Sequence, residues 1–178
     1  MTTGHVFIAT SLDGFIARPD GSIDWLPGLE SDPGENYGYD DFLATVDGLV
    51  MGRGAFEKVL EFGEWPYPKP VIVLTRSLDG STLRADLRDK VEFSALTPRE
   101  LMDSLGARGW NRVYVDGGKI IQAFLREGLI ADMVVTRVPV LIGDGLPLFG
   151  AIGRDIRLTH RETRGYPSGL VQSRYTVD

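Results

Sequence analysis

Apolar and polar positions alternate in short blocks along this chain, and the period changes from block to block. Eight runs rich in β-branched and aromatic residues predict strands at 5–10, 48–51, 71–74, 91–94, 113–115, 133–140, 155–163 and 170–177. Three of them, around Leu49-Val50, Ile72-Val73 and Val113-Tyr114-Val115, are compact apolar runs bounded by glycine or polar residues. A strand reads this way when both faces are covered, as in a parallel sheet flanked by helices. Helical spacing fills the gaps. Thr97-Pro98-Arg99-Glu100 places a hydroxyl at the N-cap, proline at N1 and glutamate at N3, the pattern of a capping box. Leu101, Met102 and Leu105 then share one face. Ile120, Ile121, Phe124 and Leu125 mark a second helix over 119–127, closed by Gly128. Two more are predicted at 37–46 and 55–60.

Up to residue 130 the order is therefore β, α, β, α, β, β, α, β, α, which defines an α/β class. Beyond it, longer strands are separated by Gly143-Asp144-Gly145 and Tyr166-Pro167-Ser168-Gly169. Such turns predict an antiparallel hairpin closing the sheet. Residues 18–36, rich in Gly, Pro, Asp and Glu and containing Trp25, predict a long exposed loop.

Composition narrows the function classes. At 178 residues and 43% apolar, the chain fits one domain with a full core, spanning 1–178. It contains no cysteine, which removes disulfides, thiolate metal sites and cysteine nucleophiles together. A net charge of −6 argues against generic nucleic-acid binding, although a local basic pocket for a small anion stays compatible with it. The first residues lack the basic start of a signal peptide, and no apolar run is long enough to span a bilayer. The expectation is a soluble, cytoplasmic protein. No metal site is expected, because His5 and His160 share no ligand spacing and suit packing or the surface better.

Chemistry can sit where strands hand over to helices. In Met51-Gly52-Arg53-Gly54-Ala55 a strand turns on glycines into a helix whose free N–H groups favour an anion, and Arg53 adds a cation. In Val115-Asp116-Gly117-Gly118-Lys119 two glycines allow a ligand to approach the backbone, but Asp116 would repel a phosphate. Leu74-Thr75-Arg76-Ser77 offers a hydroxyl and a guanidinium at a strand end. Neither glycine junction matches G-x-G-x-x-G or the P-loop pattern.

Taken in order, Ala9-Thr10-Ser11-Leu12-Asp13-Gly14-Phe15-Ile16-Ala17, Asp24-Trp25, Met51-Gly52-Arg53-x-x-Phe56-Glu57, Val73-Leu74-Thr75-Arg76, Asp116-Gly117-Gly118 and Gly143-Asp144-Gly145-x-Pro147-Leu148-Phe149 resemble the dihydrofolate reductase-like superfamily. The branch is that of the reductase domain of the bifunctional riboflavin-biosynthesis deaminase–reductase. The resemblance implies a three-layer fold with a mixed, mostly parallel sheet and an antiparallel C-terminal hairpin. It also implies NADPH bound along the sheet's carboxyl edge. Ala9, Ile16 and Ala17 would then flank the nicotinamide. Gly52, Arg53, Gly54 and Ala55 would hold phosphate, Leu74, Thr75 and Arg76 would meet the 2′-phosphate end, and Gly117 and Gly118 would face the pyrophosphate.

Two departures stand out. Ala55 replaces a threonine, and the acidic residue before the Met-Gly-Arg motif falls near Asn36, leaving Asp40 as the nearest carboxylate on that face and the candidate catalytic acid. The expected activity is hydride transfer to a C=N or C=O carbon of a small heterocyclic or sugar-derived substrate, resembling 5-amino-6-(5-phosphoribosylamino)uracil reductase. A cofactor-binding protein without turnover, and dihydrofolate reductase proper, are the alternatives. No zinc deaminase signature is present, so a stand-alone reductase domain is expected. A homodimer is expected through a long apolar edge at 133–140.

Overall fold

The computed structural model describes residues 1–26 and 34–178, so the centre of the 18–36 loop lies outside the described residues. The chain runs β1 (Thr3–Ser11), β2 (Phe15–Ala17), α1 (Tyr39–Ala44), β3 (Gly48–Gly52), α2 (Arg53–Leu60), β4 (Val71–Leu74), β5 (Val91–Ser94), α3 (Pro98–Ala107), β6 (Arg112–Asp116), α4 (Gly118–Arg126), β7 (Ile130–Val138), β8 (Leu146–Pro147), β9 (Leu158–Gly165) and β10 (Val171–Val177). The helices expected at 37–46 and 55–60 form at Tyr39–Ala44 and Arg53–Leu60, while α3 and α4 begin and end on signals in their sequence. The Thr97 hydroxyl accepts the Glu100 N–H and the Glu100 carboxylate accepts the Thr97 N–H, completing the capping box of α3. Gly109 and Gly128, both in the left-handed region, stop α3 and α4.

Eight strands form one sheet in the order β5-β4-β3-β6-β1-β7-β10-β9. The first six are parallel to one another, whereas β10 is antiparallel to both β7 and β9. Right-handed crossovers put α1 and α2 on one face and α3 and α4 on the other. The strands feed both layers by alternation. Val50, Ile72, Val113 and Val115 pack with Leu101, Leu105, Ile121 and Phe124, while Leu49, Met51, Val71, Val73 and Tyr114 pack with Leu43, Phe56 and Val59. His5 is buried at the foot of β1, bonded through Nδ1 to Asp132 at 2.8 Å and through Nε2 to Thr3 at 2.9 Å. His160 lies exposed on β9 against Thr163.

Three sequence expectations need correction. The strand expected at 133–140 begins and ends earlier, at Ile130–Val138, and it is no edge: β1 pairs with it on one side and β10 on the other. The edge on that side is β9, whose side chains are mostly exposed and polar, so the argument for a homodimer from an apolar edge fails. The turn at 143–145 does not belong to the hairpin. It leads into β8, which pairs with β2 as a separate two-stranded sheet, and both strands are too short to carry a periodic signal. The hairpin itself turns at 166–169 as expected, where Tyr166 N–H bonds the Leu170 carbonyl.

Gly48 marks a tight seam between β3 and the segment before β6. A Cβ there would lie 2.2 Å from the Trp110 ring and 2.8 Å from the Pro70 carbonyl oxygen. Gly48→Ala is expected to cost about 2 kcal/mol or more through overpacking, lowering the melting temperature by roughly 4–8 °C. Thermal unfolding followed by circular dichroism measures it, and an unchanged midpoint would show that the seam can open.

Candidate active site

The carboxyl ends of the six parallel strands form one edge. At its centre β3 and β6 lie side by side, yet α2 leaves β3 on one face and α4 leaves β6 on the other. Open α/β sheets bind ligands at such a switch point. Here it brings the two glycine junctions together. A Cβ on Gly117 would sit 3.5 Å from Ala55 Cβ and 4.0 Å from the Gly52 amide nitrogen. Gly117 also holds φ at 93°, a conformation that glycine adopts without strain, and it caps α4. Two helix starts, each with unpaired N–H groups, thus converge on one crevice.

Each residue predicted from sequence has a definite place. Gly52 is the N-cap of α2, and its missing side chain makes room for Ile120 of α4. Arg53 and Gly54 are exposed in the first turn of α2, and Ala55 is half-buried. Leu74 ends β4. Thr75 follows it, with its hydroxyl accepting the N–H groups of Ser77 at 3.2 Å and Leu78 at 3.3 Å. Arg53 Nη1 donates to Ser77 Oγ at 3.0 Å, so Arg53, Thr75 and Ser77 form one cluster. Arg53 also pairs with Glu57 at 3.1 Å. Arg76 is exposed beside them. Ser77, present in the sequence only as the end of the Leu74-Thr75-Arg76-Ser77 element, joins the site because β3 and β4 lie side by side.

Ala9 lies half-buried on β1, in register with Thr136 of β7. Ile16 reaches Gly118, where a Cβ would meet Ile16 Cδ1 at 3.1 Å and the Pro147 carbonyl oxygen at 2.7 Å. Ala17 is buried with its carbonyl oxygen against Gly145. The small sheet therefore lies over the start of α4. It is fastened by Asp13, whose carboxylate accepts the N–H groups of Gly143 at 2.8 Å and Ile142 at 3.3 Å. The contact with Ser11 and these bonds hold the Asp13 carboxyl below its ordinary range. Asp40 is exposed on the first turn of α1 and accepts a hydrogen bond from Asn36 Nδ2 at 2.7 Å.

Asp116, expected from sequence only to repel a phosphate, is the carboxylate that belongs to this edge. Asp116 ends β6 in register with Met51 and is half-buried. Its Oδ1 accepts the Gly117 N–H at 2.8 Å, and no other bond from the described residues reaches it. Burial pushes its carboxyl up to about 6, with the Gly117 bond pulling weakly the other way. Its charge is felt by Tyr39, Tyr67 and Tyr114. All three phenols are pushed up, first by burial and then by the Asp116 charge, Tyr39 to about 12. The Tyr114 hydroxyl donates to the Phe7 carbonyl at 2.9 Å, tying this group to β1.

Fold and edge together define an α/β domain of the dihydrofolate reductase-like class. The chain belongs to the RibD C-terminal domain family, whose model matches residues 3–172. It is 34% identical over 164 residues to the uncharacterized protein YwjB of Bacillus subtilis, covering 90% of each chain. A crystal structure from Shewanella sp. PV-4, assigned provisionally to riboflavin biosynthesis, superposes with a TM-score of 0.93 at 38% identity and covers 99% of both chains. The bifunctional diaminohydroxyphosphoribosylaminopyrimidine deaminase/5-amino-6-(5-phosphoribosylamino)uracil reductase of Thermotoga maritima shares the fold, with a TM-score of 0.75 at 12% identity over 99% of this chain and 57% of that one. Among the described residues no helix is long and apolar enough to cross a membrane, and no cluster of metal-ligating side chains occurs.

Asp116 also makes a stability prediction. Its folded value of about 6 exceeds the ordinary 3.8, so its contribution favours folding below about pH 4 and is lost as pH rises through 6. Asp116→Asn should match the native chain near pH 4 and exceed it by about 2–3 kcal/mol near pH 7.5. Urea unfolding of both at the two pH values tests this, and a difference that does not change with pH would refute the burial of the charge.

Proposed function

We propose that this chain is an NADPH-dependent reductase acting on a C=N or C=O carbon of a small heterocyclic or sugar-derived molecule. The observation that carries the reading is one continuous run of anion-binding groups along the sheet edge, from the paired helix starts at Gly52 and Gly117 to the Arg53–Thr75–Ser77 cluster. Its chemistry fits a dinucleotide carrying an extra phosphate: backbone N–H groups suit a pyrophosphate, and guanidinium with hydroxyls suits a phosphomonoester. Membership of the RibD C-terminal domain family supports the reductase class. NADPH, when bound, supplies a hydride.

The chain's own residues do the rest. Arg53, Arg76, Thr75 and Ser77 would hold the 2′-phosphate, with Glu57 released from Arg53 as the phosphate takes its place. Ala9 and Ile16, both half-buried, present apolar surface where water must be excluded, with Ala17 buried beside Ile16. The catalytic acid proposed from sequence, Asp40, gives way to Asp116. Asp116 Oδ1 is held by Gly117, which leaves Oδ2 to carry the proton. A carboxyl poised near pH 6 can hand that proton to the substrate heteroatom as its carbon is reduced. The homodimer expected from the family resemblance remains part of this proposal.

Titration with both cofactors tests the cofactor end. Arg53→Ala and Arg76→Ala should each weaken NADPH by about 10- to 100-fold, from the roughly 1.5–3 kcal/mol of a charge-assisted bond, and leave NADH almost unmoved. Equal losses for the two cofactors would refute the assignment. Asp116→Asn should lower kcat by about 100- to 10,000-fold with NADPH affinity intact, and the native rate should fall as pH rises above about 6. A rate independent of pH between 5 and 8 would remove Asp116 from the reaction.

A further inference from the structure

We infer that the cavity between the approach to α1 and strands β9 and β10 binds a small planar acid carrying a single carboxylate, anchored by Arg174. The site stands apart from the cofactor edge and does not depend on the reductase reading.

Strand register places the cavity. Glu162, Arg174, Val134 and Phe7 are partners across β9, β10, β7 and β1, and Arg164, Gln172, Thr136 and Ala9 form the next row on the same face. Phe7 packs against Tyr39 at 5.5 Å and Phe42 at 5.1 Å, so this is the face that α1 covers. Between the approach to α1 at Tyr37-Gly38 and the outer strands lies a cavity of about 170 Å³. β10 is five strand positions from β4, roughly 24 Å at ~4.8 Å per strand, so the Arg53–Thr75–Ser77 cluster does not serve it.

The walls are held from several sides. The Tyr37 and Tyr166 rings stand edge-on at 4.8 Å. Gln172 Nε2 donates to the Tyr37 carbonyl at 3.1 Å and to Thr136 Oγ1 at 3.0 Å, while the Tyr166 hydroxyl donates to Gln172 Oε1 at 3.4 Å. Tyr37 has φ 56°, which makes it the one non-glycine residue in the left-handed region among the described residues. The Glu35 carboxylate accepts its N–H at 2.8 Å. Backbone strain of this kind persists where the surroundings over-determine it, and it clusters at ligand clamps. Two fixed aromatic rings suit a flat partner. The volume suits a single ring, since a cavity of about 150 Å³ takes up benzene.

Charge then decides what the ring carries. Arg164 is already shared, lying over the Tyr166 ring at 4.7 Å and reaching Glu35 at 3.9 Å. Arg174 has no hydrogen bond or ion pair among the described residues, and its planar fork of donors matches a carboxylate. Glu162 lines the same cavity from the neighbouring position on β9. One unpaired guanidinium beside one carboxylate suits a single negative charge. A phosphomonoester, at about −1.5 to −2, brings more charge than Arg174 can answer next to Glu162.

The test is a two-dimensional NMR titration of the native chain with benzoate, its neutral counterpart benzamide and inorganic phosphate, near pH 7.5. Benzoate should shift the amide signals of Gly38, Gln172 and Arg174 first, and bind at least about tenfold tighter than benzamide, the value of one charge-assisted bond. Phosphate should bind more weakly than benzoate. Arg174→Gln should bring the benzoate-to-benzamide ratio toward one without moving signals elsewhere in the fold. Glu162→Gln should tighten benzoate and leave benzamide unmoved, a gain that a purely structural glutamate would not give. Shifts centred on another part of the chain, equal affinity for benzoate and benzamide, or phosphate binding tighter than benzoate would each overturn the inference. So would a ratio that Arg174→Gln leaves unchanged, or no benzoate shift at about 10 mM.

Discussion

The working edge depends on a single constraint of connectivity. β3 and β6 are neighbours, but the chain leaves them in opposite directions across the sheet, outward to β4 and back past β1 to β7. Right-handed crossovers then force α2 and α4 onto opposite faces. Their N-termini cannot block each other, and they open into the same crevice instead. Close contact between the two junctions permits little bulk. Gly52 leaves room for Ile120, Gly117 supplies a left-handed turn against Ala55, and Gly118 admits the Pro147 carbonyl. The glycines that looked like ligand-binding signals therefore answer first to packing, and the anion-binding character follows from the helices they allow to approach.

The same constraint explains what could be read from sequence. Strands β3, β4 and β6 were legible because both faces are buried and their apolar runs are unbroken. The capping box of α3 was legible because it is written in four consecutive residues. β2 and β8 were not, since three-residue and two-residue strands owe their existence to partners 130 residues away. The site divides in the same way. Junction residues such as Gly52, Arg53 and Gly117 announce themselves locally, whereas Ser77 becomes meaningful only when β3 and β4 lie together, and Asp116 only when its burial is known. Asp40 shows the converse: a carboxylate counted along the chain to the expected helix turns out to face water.

The segments that carried the family likeness most strongly do structural work. Ser11-Leu12-Asp13-Gly14 and Gly143-Asp144-Gly145 are far apart in sequence, and the structure joins them through the Asp13 carboxylate and the N–H groups of Ile142 and Gly143. Ser11 adds a bond from the Phe15 N–H at 3.0 Å, fixing the turn between β1 and β2. Gly145 has no space for a side chain because the Ala17 carbonyl occupies it. These motifs pin the small sheet over the start of α4, where Ile16 and Pro147 close on Gly118.

Asp116 connects stability to chemistry. An ionised carboxylate withdrawn from water and answered by one backbone N–H is destabilising at neutral pH, and replacing it would cost the fold nothing. A purely structural role would favour asparagine, which keeps the bond to Gly117 without the charge. An aspartate here is what the proposed proton donor requires, a carboxyl with one oxygen held by Gly117 and the other free of bonds from the described residues. The same burial that makes the charge unfavourable raises the carboxyl into the range where it can hold and release a proton near pH 6. The penalty in the free protein and the raised carboxyl are thus two consequences of one placement, at the end of β6 between the helix starts.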